Sequence, residues 1–271
     1  MLFDTIMQTF GEAVSETSRV AQRYEQEAEA LKHIRGARVL LVEDNEINQQ
    51  VALEILEGAG LNVSLAENGQ EAVSAVKEKD YDVVLIDIQM PVMNGYEATG
   101  AIRSDPRFED LPIIAMTAHA MAGDEDKSLK AGMNGHVTKP IDPGQLFATL
   151  QKWIKPSEKR AQVQKPEVPV ESPESKKAVP EENELPESLP GFDLATGLGR
   201  LRGNKRLYRK LLLDFGAKYT RVGGEINKAL DSKDLKEAHS LIHNLKGLAG
   251  NLAATGLHAA SMNLEKLVKG V

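Results

Sequence analysis

Between Arg38 and Ile154, short apolar runs alternate five times with longer segments of helical period, and nothing else in the chain restricts the fold as much. The runs ARVLLV, LNVSLAEN, YDVVLID, PIIAM and GHVTK read as strands. Ile47–Leu56, QEAVSAVKEK, GYEATGAIRS, MAGDEDKSLKAG and DPGQLFATLQKWI read as the helices between and after them. Strands that are apolar throughout are buried on both faces, and strands joined through helices run parallel. The expected fold is therefore an α/β, doubly wound, five-stranded parallel sheet of flavodoxin-like type, with its functional site beyond the carboxyl ends of the strands.

The remainder divides around that unit. Residues 1–36 form an N-terminal helical segment, with Ile6, Phe10, Ala13, Val20, Tyr24 and Leu31 on a rough 3–4 spacing. It has two readings: a dimer-forming helix, or the last helix of a preceding domain, because LFDTIMQTF resembles LFATLQKWI at Leu146–Ile154. Residues 37–154 are the α/β domain. Residues 155–190 are a flexible linker rich in Pro, Glu and Lys: seven prolines, fourteen charged residues and no glycine or aromatic leave nothing to build a core from. Residues 191–271 are helical in pattern, with helices expected at 205–219, 223–230, 233–248 and 257–268, an all-α bundle.

Composition removes several classes of function. A net charge of −7 argues against a nucleic-acid or anionic-membrane surface, and no strongly basic recognition helix follows Ile154. The absence of cysteine removes disulfides, zinc–thiolate sites and thiol nucleophiles. No apolar run reaches the ~18–20 residues that span a bilayer, and the N-terminus has no signal pattern, so a cytoplasmic polypeptide is expected.

The strand ends carry the chemistry. Glu43 and Asp44 follow the first strand, Asp87 ends the third, Thr117 the fourth and Lys139 the fifth. An aspartate at a strand end is commonly no more than a helix cap, and Lys139 alone could face water. Together they place three carboxylates where a hard cation such as Mg²⁺ would neutralise them, beside a fixed positive charge and a hydroxyl. Phosphoryl transfer to a carboxylate needs those parts.

VLLVEDNEINQQVA, VVLIDIQMPVMNGYEA, IIAMTAHA and GHVTKPI resemble the receiver domain of two-component signalling proteins, particularly receivers fused to hybrid sensor histidine kinases. The resemblance implies Asp87 as phosphoacceptor, Glu43 and Asp44 as acidic partners of Mg²⁺, and the Gln89 carbonyl as a further ligand. It implies Thr117 as the switch hydroxyl, Lys139 as the phosphate-pairing lysine, and a cis bond before Pro140. Pro91 and Gly95 would shape the loop and the following helix start. His136 stands where the family often has an aromatic that rotates with Thr117.

In the helical region, HSLIHNLKGLAGNLAA sets His239 and His243 on one helical face, with no carboxylate at ligand spacing on it. A solvent-facing, neutral imidazole at 243 would be a competent phosphoryl nucleophile. Lys246 at i+3 would bring positive charge to a phosphorylated ring, and Gly247 at i+4 would open room for a partner. His-x-x-Lys-Gly followed by Ala249-Gly250-Asn251 resembles the histidine phosphotransfer domain, a four-helix bundle. The resemblance implies His243 as the phosphorylated residue, Lys246 and Gly247 as docking support, and His239 as a neighbour. Ala253 replaces a glycine common there. The family continues past the position of Val271 into another helix, so a bundle lacking its final helix, with exposed apolar surface and weak stability, is expected.

The combined reading is phosphorelay signalling within a hybrid sensor histidine kinase: Mg²⁺-dependent transfer to Asp87 and between Asp87 and His243. A kinase-domain histidine would be the donor and a separate response regulator the final acceptor. This chain carries no glycine-rich nucleotide loop, so no ATP-dependent step is assigned to it. The alternative is a non-catalytic switch in which phosphorylated Asp87 controls homodimerisation or partner binding.

Overall fold

The structure, a computed structural model, describes residues 33–117, 122–155 and 185–269. Both readings of the N-terminal segment fall on residues outside that range, as does most of the linker. The first part is built from β1 (Arg38–Val42), α1 (Glu46–Gly58), β2 (Asn62–Ala66), α2 (Gly69–Glu78), β3 (Val83–Asp87), α3 (Gly95–Arg103), β4 (Ile113–Thr117), α4 (Ala122–Lys130), β5 (Gly135–Thr138) and α5 (Pro143–Trp153). The strands form one parallel sheet in the order β2-β1-β3-β4-β5, the doubly wound arrangement expected.

Strand period two sorts the core. Val39, Leu41, Val83, Leu85, Ile114 and Met116 face the layer that contains α1 and α5. Their alternates Leu40, Val42, Val84, Ile86, Ile113 and Ala115 face the other layer, with α2 and α3. Ile34, ahead of the first strand, is 1% exposed within the α1–α5 layer. Side-chain caps fix the helix starts. Asn45 accepts from the Ile47 and Asn48 amides, Asn94 and Glu97 form a capping box, and Asp142 caps α5 ahead of Pro143. Because each cap follows a strand, it sets the turn that carries the neighbouring site residue.

The second part contains α6 (Leu194–Arg200), α7 (Lys205–Tyr219), α8 (Val222–Asp231), α9 (Leu235–Asn251) and α10 (Thr255–Lys269). The helices α7 to α10 correspond to those read from the sequence. The seven-residue α6 was not read there, because Gly197 and Gly199 break its pattern. Gly197 is required by contact: a Cβ there would collide with the Tyr208 ring. Tyr208 is fully buried and donates to the Leu252 carbonyl at 2.8 Å, and burial pushes its phenol up to about 12. The bundle has its own small core of Ile226, Ile242 and Leu245. Leu201, Tyr208, Leu211, Leu248 and Leu252, however, join the α1–α5 layer of the first part in one continuous apolar cluster. The two parts are packed together.

Candidate functional site

Three strand ends converge as expected from the sequence. Glu43 and Asp44 follow β1, Asp87 closes β3, and Lys139 follows β5, where the Lys139–Pro140 peptide is cis. Lys139 Nζ lies 2.5 Å from both Glu43 Oε2 and Asp87 Oδ2, and all three side chains are almost fully buried. One oxygen from each of Glu43, Asp44 and Asp87 falls within 4.8 Å of the others. The Gln89 amide donates to Asp87 Oδ1 at 3.1 Å, and the Asn48 amide donates to Glu43 Oε1 at 2.9 Å. Thr117 ends β4 beside Asp87's strand, and its carbonyl accepts from the Lys139 amide at 2.6 Å.

The remaining loop residues serve shape. Gly95 abuts the site so closely that a Cβ would collide with the Asp87 carbonyl. Pro91 is exposed and opens a tight turn in which Met93 N–H bonds to the Pro91 carbonyl at 2.8 Å. Val92, at the centre of that turn, is β-branched yet held at φ 67°, a strained conformation that places backbone strain next to the site. His136 pairs with Ala115 in the sheet and borders a cleft between α4, β5 and α5, away from the carboxylates.

Three carboxylates against one ammonium leave the site over-supplied with negative charge. Burial raises Glu43 from its ordinary 4.5 to about 7; Lys139 opposes the rise and Asp87 adds to it. Burial likewise raises Asp44 from 3.8 to about 6, reinforced by Asp87 and opposed by Lys139. Burial alone would lower Lys139, but the two carboxylates outweigh it and hold the ammonium above its ordinary value. Asp44 Oδ1 is buried with no hydrogen-bond partner. An orphaned carboxylate oxygen, an all-oxygen donor set and uncompensated charge fit a hard divalent cation.

The pH dependence follows with a definite sign. The native state holds protons on Glu43 up to about pH 7 and on Asp44 up to about pH 6, whereas the unfolded chain releases them near 4.5 and 3.8. These groups therefore stabilise the fold at low pH, and that contribution is lost as pH rises from about 4 to 7. In EDTA the thermal midpoint should fall between pH 5 and pH 7.5, and Mg²⁺ should raise it more at pH 7.5 than at pH 5. An equal Mg²⁺ effect at both values would count against the cluster as the cation site.

The histidine lies in the bundle, on α9. It is not solvent-facing as expected: His243 is 7% exposed, with Nδ1 3.2 Å from Glu265 Oε1. Glu265, on α10, also pairs with Lys246 and lies 3.3 Å from His239 Nε2. Lys246 is thus buried against a carboxylate rather than free beside the ring. Glu265 does not show in the sequence as a partner because it lies on the next helix, 22 residues beyond His243 and off the histidines' own helical face. A carboxylate accepts, so in this contact Nδ1 of His243 is the donor, and a neutral ring so held has its lone pair on Nε2.

One helical stripe of α9 meets the strand ends. A Cβ on Gly247 would stand 3.8 Å from Asn48 Nδ2 and 3.9 Å from Lys139 Cδ, and one on Gly250 would stand 3.2 Å from Pro140 Cβ. Asn251 donates to Asn48 Oδ1 at 2.9 Å and accepts from the Ile141 amide at 3.1 Å. His243 is on the same stripe, one turn before Gly247.

The model for the response regulator receiver domain matches residues 39–151, and the model for the Hpt domain matches residues 210–270. The polar-differentiation response regulator DivK of Brucella anthropi is 34% identical over 116 residues, which cover 94% of that protein and 43% of this chain. The chain belongs to the response regulator receiver family. It joins that receiver domain to an Hpt domain, the makeup of a phosphorelay protein. The sensor histidine kinase GacS of Pseudomonas protegens is 32% identical over 251 residues, 92% of this chain and 26% of that kinase. Against the first sensor and histidine-kinase relatives the chain spans between 7% and 26% of their length. Among solved structures, the receiver domain of the Pseudomonas aeruginosa sensor histidine kinase PA1611, with a magnesium ion coordinated in its active-site cleft, is 42% identical at a TM-score of 0.42. It covers 44% of this chain and 98% of that one. No helix among the described residues is long and apolar enough to cross a membrane.

Proposed function

We propose that the receiver accepts a phosphoryl group on Asp87 and exchanges it with His243 of the Hpt domain, with Mg²⁺ held by Glu43, Asp44, Asp87 and the Gln89 carbonyl. The observation that carries the reading is the stripe of α9 lying on the strand ends, where Gly247 leaves room against Lys139 and Asn48. On arrival, a carboxylate oxygen of Asp87 bonds to phosphorus as the P–N bond of a donor histidine breaks. On exchange, Nε2 of His243 bonds to phosphorus, the P–O bond breaks, and the Asp87 carboxylate leaves. Lys139, held between Glu43 and Asp87, would pair with a phosphoryl oxygen, and Thr117 would donate its hydroxyl to another. Bound Mg²⁺ would neutralise charge on the phosphoryl group. Glu265 keeps the Nδ1 proton in place, so Nε2 attacks without first losing one.

The donor we assign is a histidine of a kinase domain and the final acceptor a separate response regulator, with this part of the protein in the cytoplasm. Acetyl phosphate with Mg²⁺, followed by time-resolved intact mass and site mapping, tests the relay. Label should reach Asp87 and then His243 in the wild type, stop at Asp87 in H243Q, and reach neither residue in D87N. EDTA should stop both steps. Label on His243 in D87N would sink the proposed order.

A further inference from the structure

The Hpt domain meets the receiver along a second line, beyond the catalytic stripe. Residues 200–221 carry eight basic residues against Asp214 alone, in a chain whose net charge is −7. Helix α1 carries Glu46, Glu54 and Glu57 and no basic residue. The two helices lie antiparallel, and their contacts recur at every fourth residue of α1. Lys218 pairs with Glu46, and the Asn45 amide donates to the Tyr219 hydroxyl at 2.6 Å. Lys210 donates to Gln50 at 3.1 Å, and Asn204 donates to Glu54 at 3.0 Å. At the far end the Arg202 guanidinium lies over Gly58, where a Cβ would stand 2.7 Å from it. Positions 46, 50, 54 and 58 share one face of α1, and beside them Leu201, Tyr208 and Leu211 continue the apolar layer of Ile47, Val51 and Ile55.

This seam holds α9 over the strand ends. With Asn251 bonded between Asn48 and Ile141 and Gly247 against Lys139, the carboxylates beneath are closed off: Glu43 is 2% exposed and Asp87 3%. A donor phosphoryl group has to reach Asp87 in line from beyond the strand ends, which is the space the docked Hpt domain occupies. We propose that the α1–α7 seam is an intrachain latch: docked, the Hpt domain screens Asp87 from outside phosphodonors, so acceptance and onward transfer alternate rather than overlap. The inference rests on Asp87 as phosphoacceptor. The rate at which Asp87 is labelled then scales with the fraction of chains that are open.

The test uses the chain in the H243Q background, so that onward transfer does not drain the label. Its labelling by acetyl phosphate and Mg²⁺ is compared with the same chain carrying Lys218→Glu and Lys210→Glu. Like charges facing each other across the seam should open it and raise the Asp87 rate about fivefold, as should higher salt, which screens the parent's attraction. Adding Glu46→Lys should bring the rate back towards the parent, because the Glu46–Lys218 pair is rebuilt with its signs reversed. The protection should not change with protein concentration, since the latch is within one chain. Equal rates in parent and seam variant overturn the latch alone. Absence of label on Asp87 in every chain overturns the phosphoacceptor reading as well.

Discussion

Lys139→Met should be the most damaging single change in the receiver, and most damaging without a divalent cation. Lys139 is the ammonium that bridges Glu43 and Asp87, at 2.5 Å from each, with Asp44 in the same cluster. Methionine fills the volume but removes the charge, so three carboxylates face one another in a buried site. Removing one partner of a buried ion pair costs about 3–5 kcal/mol, out of the ~5–15 kcal/mol that holds a domain folded. Protonation limits the damage: Glu43 already stands at about 7, and losing Lys139 pushes it further up. The urea midpoint of the variant should therefore fall well below wild type at pH 7.5 in EDTA, recover in part at pH 5, and recover in part with Mg²⁺. A uniform loss across pH and Mg²⁺ would mean that packing, not charge, was removed. Labelling of Asp87 should also drop, because the fixed cation for a phosphoryl oxygen is gone.

That site was legible because its members are local events: each is the residue at which a short apolar strand stops. Apolar ARVLLV followed by Glu43 and Asp44 needs no partner to be recognised, and five repeats of the pattern fix the sheet. Asn45, Asn94 and Asp142 cap the helices where strand gives way to helix, roles that went unread because the same residue types also serve turns. What the sequence concealed is pairwise and distant. The α1–α7 seam joins residues about 150 to 170 positions apart, and a basic helix looks the same whether it faces water or an acidic neighbour. A charged, proline-rich linker suggested two bodies on a tether, while the apolar layer shared by Val51, Tyr208 and Leu248 makes them neighbours. His243 was read as exposed for a related reason: helical period gives the face of a residue, not what the next helix lays over it.

Glu265 is the clearest case, and replacing it should separate two roles that the bundle combines. It is fully buried 22 residues after His243, and in NLEKL it resembles any surface glutamate. One oxygen meets His243 Nδ1 and the other meets Lys246, whose side chain is 1% exposed. Glu265→Leu strands the Lys246 ammonium in an apolar interior and should cost about 3–5 kcal/mol, seen as a fall in the urea midpoint. It also frees the imidazole to protonate on Nε2, which is then no longer a nucleophile. Transfer from Asp87 should fall on the order of tenfold to a hundredfold, the loss seen when a group orienting a functional imidazole is removed. Glu265→Gln divides the effects. Its amide oxygen still accepts from Nδ1–H, so transfer should be largely kept, while the neutral group cannot balance Lys246 and stability should still fall. Nitrogen NMR of the His243 ring reads the tautomer directly: protonated Nδ1 in wild type and Glu265→Gln, and a shift towards protonated Nε2 in Glu265→Leu. A leucine variant that keeps both the wild-type tautomer and the wild-type transfer rate would reduce Glu265 to a counter-ion for Lys246. The positioning of His243 would then have to come from the receiver face against which α9 is docked.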